Sequence, residues 1–327
     1  MSAGEERALR RRIKSVQATK KITRAMELIA ASQIARAQGR MTSFRPYLGA
    51  MVALASKTAR EAAGADDRMF NAPAGLRRAG IIVLAADRGL CGGYNSAVLR
   101  AADRLIADHR ARQVDSVVVA VGKKAAGFFR YRRLPVAASF TGVTARPSFE
   151  DAGRIAEAVR VPFLAGDLDV VQVVSTRFVT AALQRAELTN MFPISPILPS
   201  SAISQAALGS GGDFPAAARG GYGYTEFEPT AKDLLEKVLS WYVDAYVFGA
   251  LLEASASEHM ARQRAMAAAT ENADELIKTL TRTMNRVRQD AITTEIVEVV
   301  SGAEALRSDG DDTAGAEMLV EQLAPGL

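Results

Sequence analysis

Cysteine occurs once in this 327-residue chain, histidine twice and tryptophan once, and aromatic residues make up only 6%. A lone Cys91 excludes an internal disulfide and any redox switch built from two cysteines of this chain, and it fits a reducing cytoplasm. One cysteine and two distant histidines, His109 and His259, cannot supply the ligand set of a zinc site, so no metal and no cofactor is expected. No run approaches the roughly 20 uninterrupted apolar residues of a membrane span. The opening MSAGEERALRRRIK lacks the apolar core of a secretory leader, so none is expected.

Hydrophobic residues nonetheless reach 49%, much of it alanine, which suits long helices packed closely. Ala37, Met41, Phe44, Leu48, Met51 and Ala55 follow one another at steps of four and three. Ala273, Ile277, Leu280, Met284, Val287 and Ala291 repeat that rhythm near the other end, and a shifted stripe runs through Ile292, Ile296, Val299, Ala303 and Leu306. Such alternation averages 3.5 residues and keeps one stripe facing a partner helix, so the two ends are expected to wind around each other. The N-terminal coiled-coil helix is assigned to 1–61, with a kink or break at Pro46, whose missing N–H interrupts the ladder. Residues 62–75 read as a linker.

The middle changes period. β-Branched runs at 79–86, 115–122, 134–139 and 168–178 alternate with helical patterns at 95–111, 123–131 and 148–164. This predicts a central α/β domain over 76–200 with a mostly parallel sheet. MFPISPIL (191–198) reads as an edge strand or exit segment. A Gly/Ala-rich insertion at 201–228 is expected to be mobile. The C-terminal coiled-coil helix is assigned to 229–306, and the acidic remainder, 307–327, to a loosely attached flexible tail.

Charge is uneven. The net charge is +5, yet residues 1–45 hold eleven basic side chains against three acidic ones. Such a helix can present a solvated face or meet nucleic acid, an anionic surface or an acidic protein. DRGLCGGYN (87–95) is the most site-like stretch, but it matches neither GxGxxG nor GxxxxGK[ST], and no lysine follows its glycines. It reads as a tight strand-to-helix turn. Arg288, Gln289, Asp290 and Thr293 interrupt the C-terminal apolar seam, and a polar contact with a partner suits them better than packing. No catalytic constellation emerges.

KKITRAMELIAASQIARAQ (20–38), AADRGLCGGYN (85–95), MAAATENADELIKTL (266–280) and NRVRQDAITTEIVEVVSGAEAL (285–306) together resemble the gamma subunit of F-type, proton-translocating ATP synthase. The resemblance spans 4–306. It implies a long antiparallel coiled coil of N- and C-terminal helices with a central Rossmann-like α/β domain at its base. It implies a non-catalytic, peripheral rotor subunit of the central stalk at the cytoplasmic face of a bacterial cell membrane. That subunit couples proton-driven rotation of the c-subunit ring to ATP synthesis or hydrolysis in a hexameric head of alpha and beta subunits, beside an epsilon subunit, and regulates ATPase activity and proton flow. Membrane contact comes only through the complex, and no nucleic acid is involved. Contacts with the catalytic subunits map onto Met26, Arg262, Arg288, Gln289 and Thr293, and the ring-facing segment onto Phe227, Glu228 and Pro229.

Gln33, Ala268, Met284 and Asp290 depart from the family's usual residues, and Asp290 could neutralise Arg288. With the long insertion and tail, they leave open a specialised, non-housekeeping paralogue. Two readings of other classes are a nucleotide-binding enzyme using residues 87–95 and a nucleic-acid-binding coil.

Overall fold

The computed structural model describes residues 2–61, 75–193 and 231–322. Helix α1 (Ser2–Glu61) is followed by β1 (Arg78–Leu84), α2 (Tyr94–Ala111), β2 (Asp115–Val121), α3 (Lys123–Tyr131), β3 (Val136–Phe140), α4 (Phe149–Ala165), β4 (Val170–Phe178), β5 (Gln184–Phe192) and α5 (Ala231–Gln322). Contacts divide the chain into two units, one of residues 25–267 and one joining residues 1–24 to residues 268–327.

In the larger unit the sheet order is β3-β2-β1-β4-β5. The first three pairings are parallel, and β4 with β5 is antiparallel. β1 lies at the centre and is apolar on both faces. Ile81 and Val83 join Val98, Ala102 and Phe129 of α2 and α3 on one side. Ile82 and Leu84 join Ile155, Phe163, Leu239 and Val243 of α4 and α5 on the other. Successive strand residues alternate faces, so a continuous β-branched run fits a sheet covered twice. Helix α4 starts at a capping box, in which Ser148 Oγ accepts from the Asp151 amide and Asp151 accepts from the Ser148 amide.

The second strand of the β4–β5 hairpin is a correction to the sequence reading. The expected edge segment 191–198 overlaps it only at Met191 and Phe192; residues 194–198 lie outside the described ones. β5 carries polar residues at most positions, so the period-2 apolar signal in its first seven residues is limited to Ala186 and Leu188.

Pro46 does not break α1. Packing on both sides of it outweighs the lost hydrogen bond. Leu48 and Met51 are buried with Ala245, and Phe44 stacks edge-on against Phe248 with ring centroids 4.8 Å apart. Gly249 lets the helices approach, since a Cβ there would lie 3.1 Å from Leu48 Cδ2.

In the smaller unit α1 and α5 pair antiparallel. Thr23 Oγ1 lies 2.8 Å from Thr270 Oγ1, and Lys20 pairs with Asp274. In that register Ile13 stands level with Leu280, and both are buried. Ser2 then comes level with Ala291, where the paired part of the coil ends. The shifted stripe expected to continue the seam is therefore solvent-facing: Ile292, Ile296 and Val299 are 49%, 57% and 67% exposed. Helix α5 also continues past Leu306 to Gln322, where the sequence suggested a tail. The insertion expected at 201–228 lies outside the described residues, as does nearly all of the linker at 62–75.

Candidate functional surfaces

The turn 87–95 is occupied by its own hydrogen bonds. Asp87 Oδ1 accepts from the Lys123 amide at 3.0 Å, and its Oδ2 accepts from the Thr144 hydroxyl at 3.0 Å. Asn95 Oδ1 accepts from the Ala86 amide at 2.8 Å, and its Nδ2 donates to Cys91 Sγ at 3.1 Å. Burial alone would raise the Asp87 carboxyl, but hydrogen bonds from the amides of Gly142, Lys123 and Thr144 hold it below the ordinary carboxylate range. Burial pushes the Cys91 thiol up, the opposite of what a nucleophile needs. His109 and His259 stand on separate helices, α2 and α5, and burial lowers both. Among the described residues no group of three or more His, Cys, Asp or Glu side chains could hold a metal ion.

Three surfaces remain. A groove of about 1330 Å³ runs beside half-buried Met26. Arg36, Arg40, Arg88, Arg146 and Arg262 line it, with Ile29 and Leu90 adding apolar wall. Arg40 donates to the Pro147 carbonyl. Arg262 is committed internally: it is buried, pairs with Glu258 at 2.7 Å and donates to the Gly89 carbonyl at 3.4 Å. It holds the 87–95 turn against α5, so only its flank reaches the groove. Among the described residues Arg36, Arg88 and Arg146 make no ion pair, which leaves their charge to the groove. Leu90 is 61% exposed and held at φ 61°, a left-handed conformation costly for a side chain with a Cβ.

The second surface holds Arg288, Gln289 and Thr293, all exposed on α5 where the coil pairing ends. Residues 288 and 290 are two apart on a helix and do not face each other. Among the described residues Arg288 makes no ion pair, so Asp290 does not neutralise it by contact. The third is the apolar stripe beyond it, Ile292 to Val300. Phe227, Glu228 and Pro229 lie outside the described residues. The Leu90 conformation and the meeting of Arg36, Arg88 and Arg146 from three chain segments were not foreseen. No spacing rule joins positions 36, 88 and 146.

A family model described as ATP synthase matches residues 5–306. The chain is 42% identical over 310 residues to the ATP synthase gamma chain of Parafrankia sp., covering 94% of this chain and 99% of that one. It is 41% identical over 312 residues to that of Kineococcus radiotolerans, at the same coverage. Among solved structures it resembles a chain of the Euglena gracilis mitochondrial ATP synthase OSCP/F1/c-ring assembly, with a TM-score of 0.63, 17% identity and coverage of 94% and 96%. A chain of the Tetrahymena thermophila central stalk and c-ring gives a TM-score of 0.57 at 22% identity, covering 76% of this chain and 99% of that one. The chain thus belongs to the ATP synthase family, among the gamma chains of the F-type enzyme.

Proposed function

We propose that this gamma chain is the central-stalk rotor of an F-type ATP synthase. Rotation of a proton-driven c-subunit ring turns it, and its asymmetric coil forces the beta subunits of an alpha–beta hexamer through successive nucleotide affinities. An epsilon subunit sits beside its α/β domain, and the complex lies at the cytoplasmic face of a bacterial cell membrane. Among the described residues no helix is long and apolar enough to cross a membrane. Contact with the bilayer is assigned to the ring by resemblance to the family. The chain itself carries no catalysis.

The observation that carries this reading is the apolar face of α5 from Ile292 to Val300, which extends beyond the end of its partner helix. Single exposed apolar residues are ordinary, but a continuous helical stripe of five needs a cover. A sleeve of surrounding subunits supplies one without requiring a fixed groove, as a turning shaft demands. Arg288, Gln289 and Thr293 stand at the start of that stripe, where a charge-assisted contact can form only at particular rotor angles. The groove arginines beside Met26 attract acidic surfaces of the head at long range. Phe227, Glu228 and Pro229 are assigned to the ring-facing side by resemblance to the family.

The test is reconstitution. Head and membrane sectors lacking a gamma chain should recover proton-driven ATP synthesis when this chain is added. Hydrolysis restored without synthesis, or no co-purification with alpha and beta subunits, would overturn the assignment.

A further inference from the structure

A second cavity, of about 410 Å³, lies where the loop after β1 meets the end of β4 and the flank of α5. Gly92, Gly93, Thr176, Arg185, Ser257 and Arg264 line it. The strand order makes this the switch point of the sheet: from β1 the chain crosses one way to β2 and β3, and returns on the other side as β4. Open α/β sheets bind ligands in the crevice beyond the carboxyl ends of the strands at that point.

One polar group there is left over by the fold. Ser257 is fully buried and its Oγ has no hydrogen-bond partner; Thr176 is 4% exposed, and its Oγ1 has only the Tyr94 hydroxyl beside it. A helical serine or threonine ordinarily donates back to the carbonyl four residues earlier. Thr279, Thr281, Thr283 and Thr294 of α5 all do so. Ser257 does not, although its place in the same helix offers that bond. Burying an unmatched hydroxyl is costly, and one on the cavity wall with a second, Thr176, beside it points to an occupant.

The surrounding charge indicates its kind. Helix α2 opens onto the cavity with Gly93 as N-cap, no side-chain cap and no acidic residue in its first turn. The positive end of its dipole is thus left uncompensated by the chain. Arg185 and Arg264 add positive charge at the rim; Arg264 spends donors on the Ala181 and Ala182 carbonyls. The nearest buried acid, Glu258, pairs through Oε1 with Arg262, while its Oε2 has no hydrogen-bond partner. Two hydroxyl donors, a helix N-terminus and arginine suit a tetrahedral oxyanion. We infer that this cavity is a non-catalytic binding site for a phosphate-class anion, with volume to spare for a small group esterified to it. The turn lacks a lysine and a base–nucleophile pair, so binding is not followed by hydrolysis.

Inorganic phosphate titrated into the full-length chain, followed by calorimetry and by ³¹P line broadening, should give saturable binding that matched chloride does not. An organic monophosphate, AMP, run in parallel decides whether the spare volume is used: tighter binding than phosphate assigns an ester. Ser257→Ala should weaken the phosphate affinity at least tenfold, and Thr176→Val should do likewise. Because the Ser257 hydroxyl has no internal partner, Ser257→Ala should melt no lower than the parent without ligand. Binding that never saturates, or that is equal in parent and variants, would overturn the site and leave the cavity to water. The rotor assignment does not depend on either result.

Discussion

Gly122 shows how little freedom the central turn has. It sits at φ 91°, and a Cβ there would fall 2.0 Å from the Ala85 carbonyl oxygen, a clash with backbone that no rotamer relieves. Gly122→Ala should therefore destabilise the α/β domain by about 3 kcal/mol or more, read as a drop in the denaturation midpoint. The titrating groups give a pH profile with a definite sign. His109 and His259 are held below their ordinary value of 6.5 by burial, so the unfolded chain binds more protons and stability falls as pH drops below that value. Asp87, depressed by its amide donors, contributes stability that is present above the ordinary value of 3.8 and is lost as pH falls further. Asp87→Asn should make the acid limb of a stability–pH curve shallower below about pH 4, with Asp151, also held below its ordinary value, keeping part of it, and leave the histidine limb unchanged. Asp87 was visible in the sequence only as part of a motif. Its bonds to Lys123 and Thr144 are long-range and could not be read from spacing.

The elements themselves were legible where apolar periodicity was strong. The four β-branched runs and the three helical patterns between them all appear in place, because a doubly covered sheet needs those residues on both faces. β5 was missed for the opposite reason: on this edge strand Arg185, Leu188 and Asn190 are exposed, and the half-buried Gln184, Glu187 and Thr189 are polar. The coil seam was legible from Ala37 to Ala55 but not at Lys20 and Thr23. There polar residues occupy the inward positions and pair with Asp274 and Thr270. The stripe at Ile292 to Leu306 was read as seam because pattern alone cannot say how far the partner helix reaches.

Two substitutions on one helix separate packing from assembly. Val287 is half-buried within the paired part of the coil, and Val287→Asp should lower the stability of the chain by about 1–3 kcal/mol. Ile296 is exposed, so Ile296→Asp should change the stability of the free chain by less than about 0.5 kcal/mol. In the assembled complex the order should reverse, with Ile296→Asp impairing the coupling of proton flow to synthesis at full chain stability. Equal effects of the two on thermal unfolding would show that the stripe is covered within the chain.

For the whole molecule, exposed Arg288, proposed above as a contact with the surrounding head, should govern turnover and not nucleotide affinity. Arg288→Ala is expected to slow ATP hydrolysis by the complex several-fold while nucleotide binding to the beta subunits stays near the parent value. Ending the chain after Leu306 should leave assembly intact, because the paired part of the coil is complete by Ala291. Faster hydrolysis by the truncated complex would assign the remaining helical stretch a braking role.

The pairing of Lys20 with Asp274 joins residues 254 positions apart, and this governs when the coil can form. Closing so large a loop from an unstructured chain costs about 5 kcal/mol in entropy, set against a seam that polar residues interrupt. Folding of the sheet first shortens the effective loop and brings the partner segments together. The opening helix must then wait through synthesis of nearly the whole polypeptide, its apolar side chains unpartnered and available to a chaperone. The shaft is the last part of the rotor to be made, and its assembly should be limited by completion of the C-terminus rather than by the intrinsic speed of helix formation.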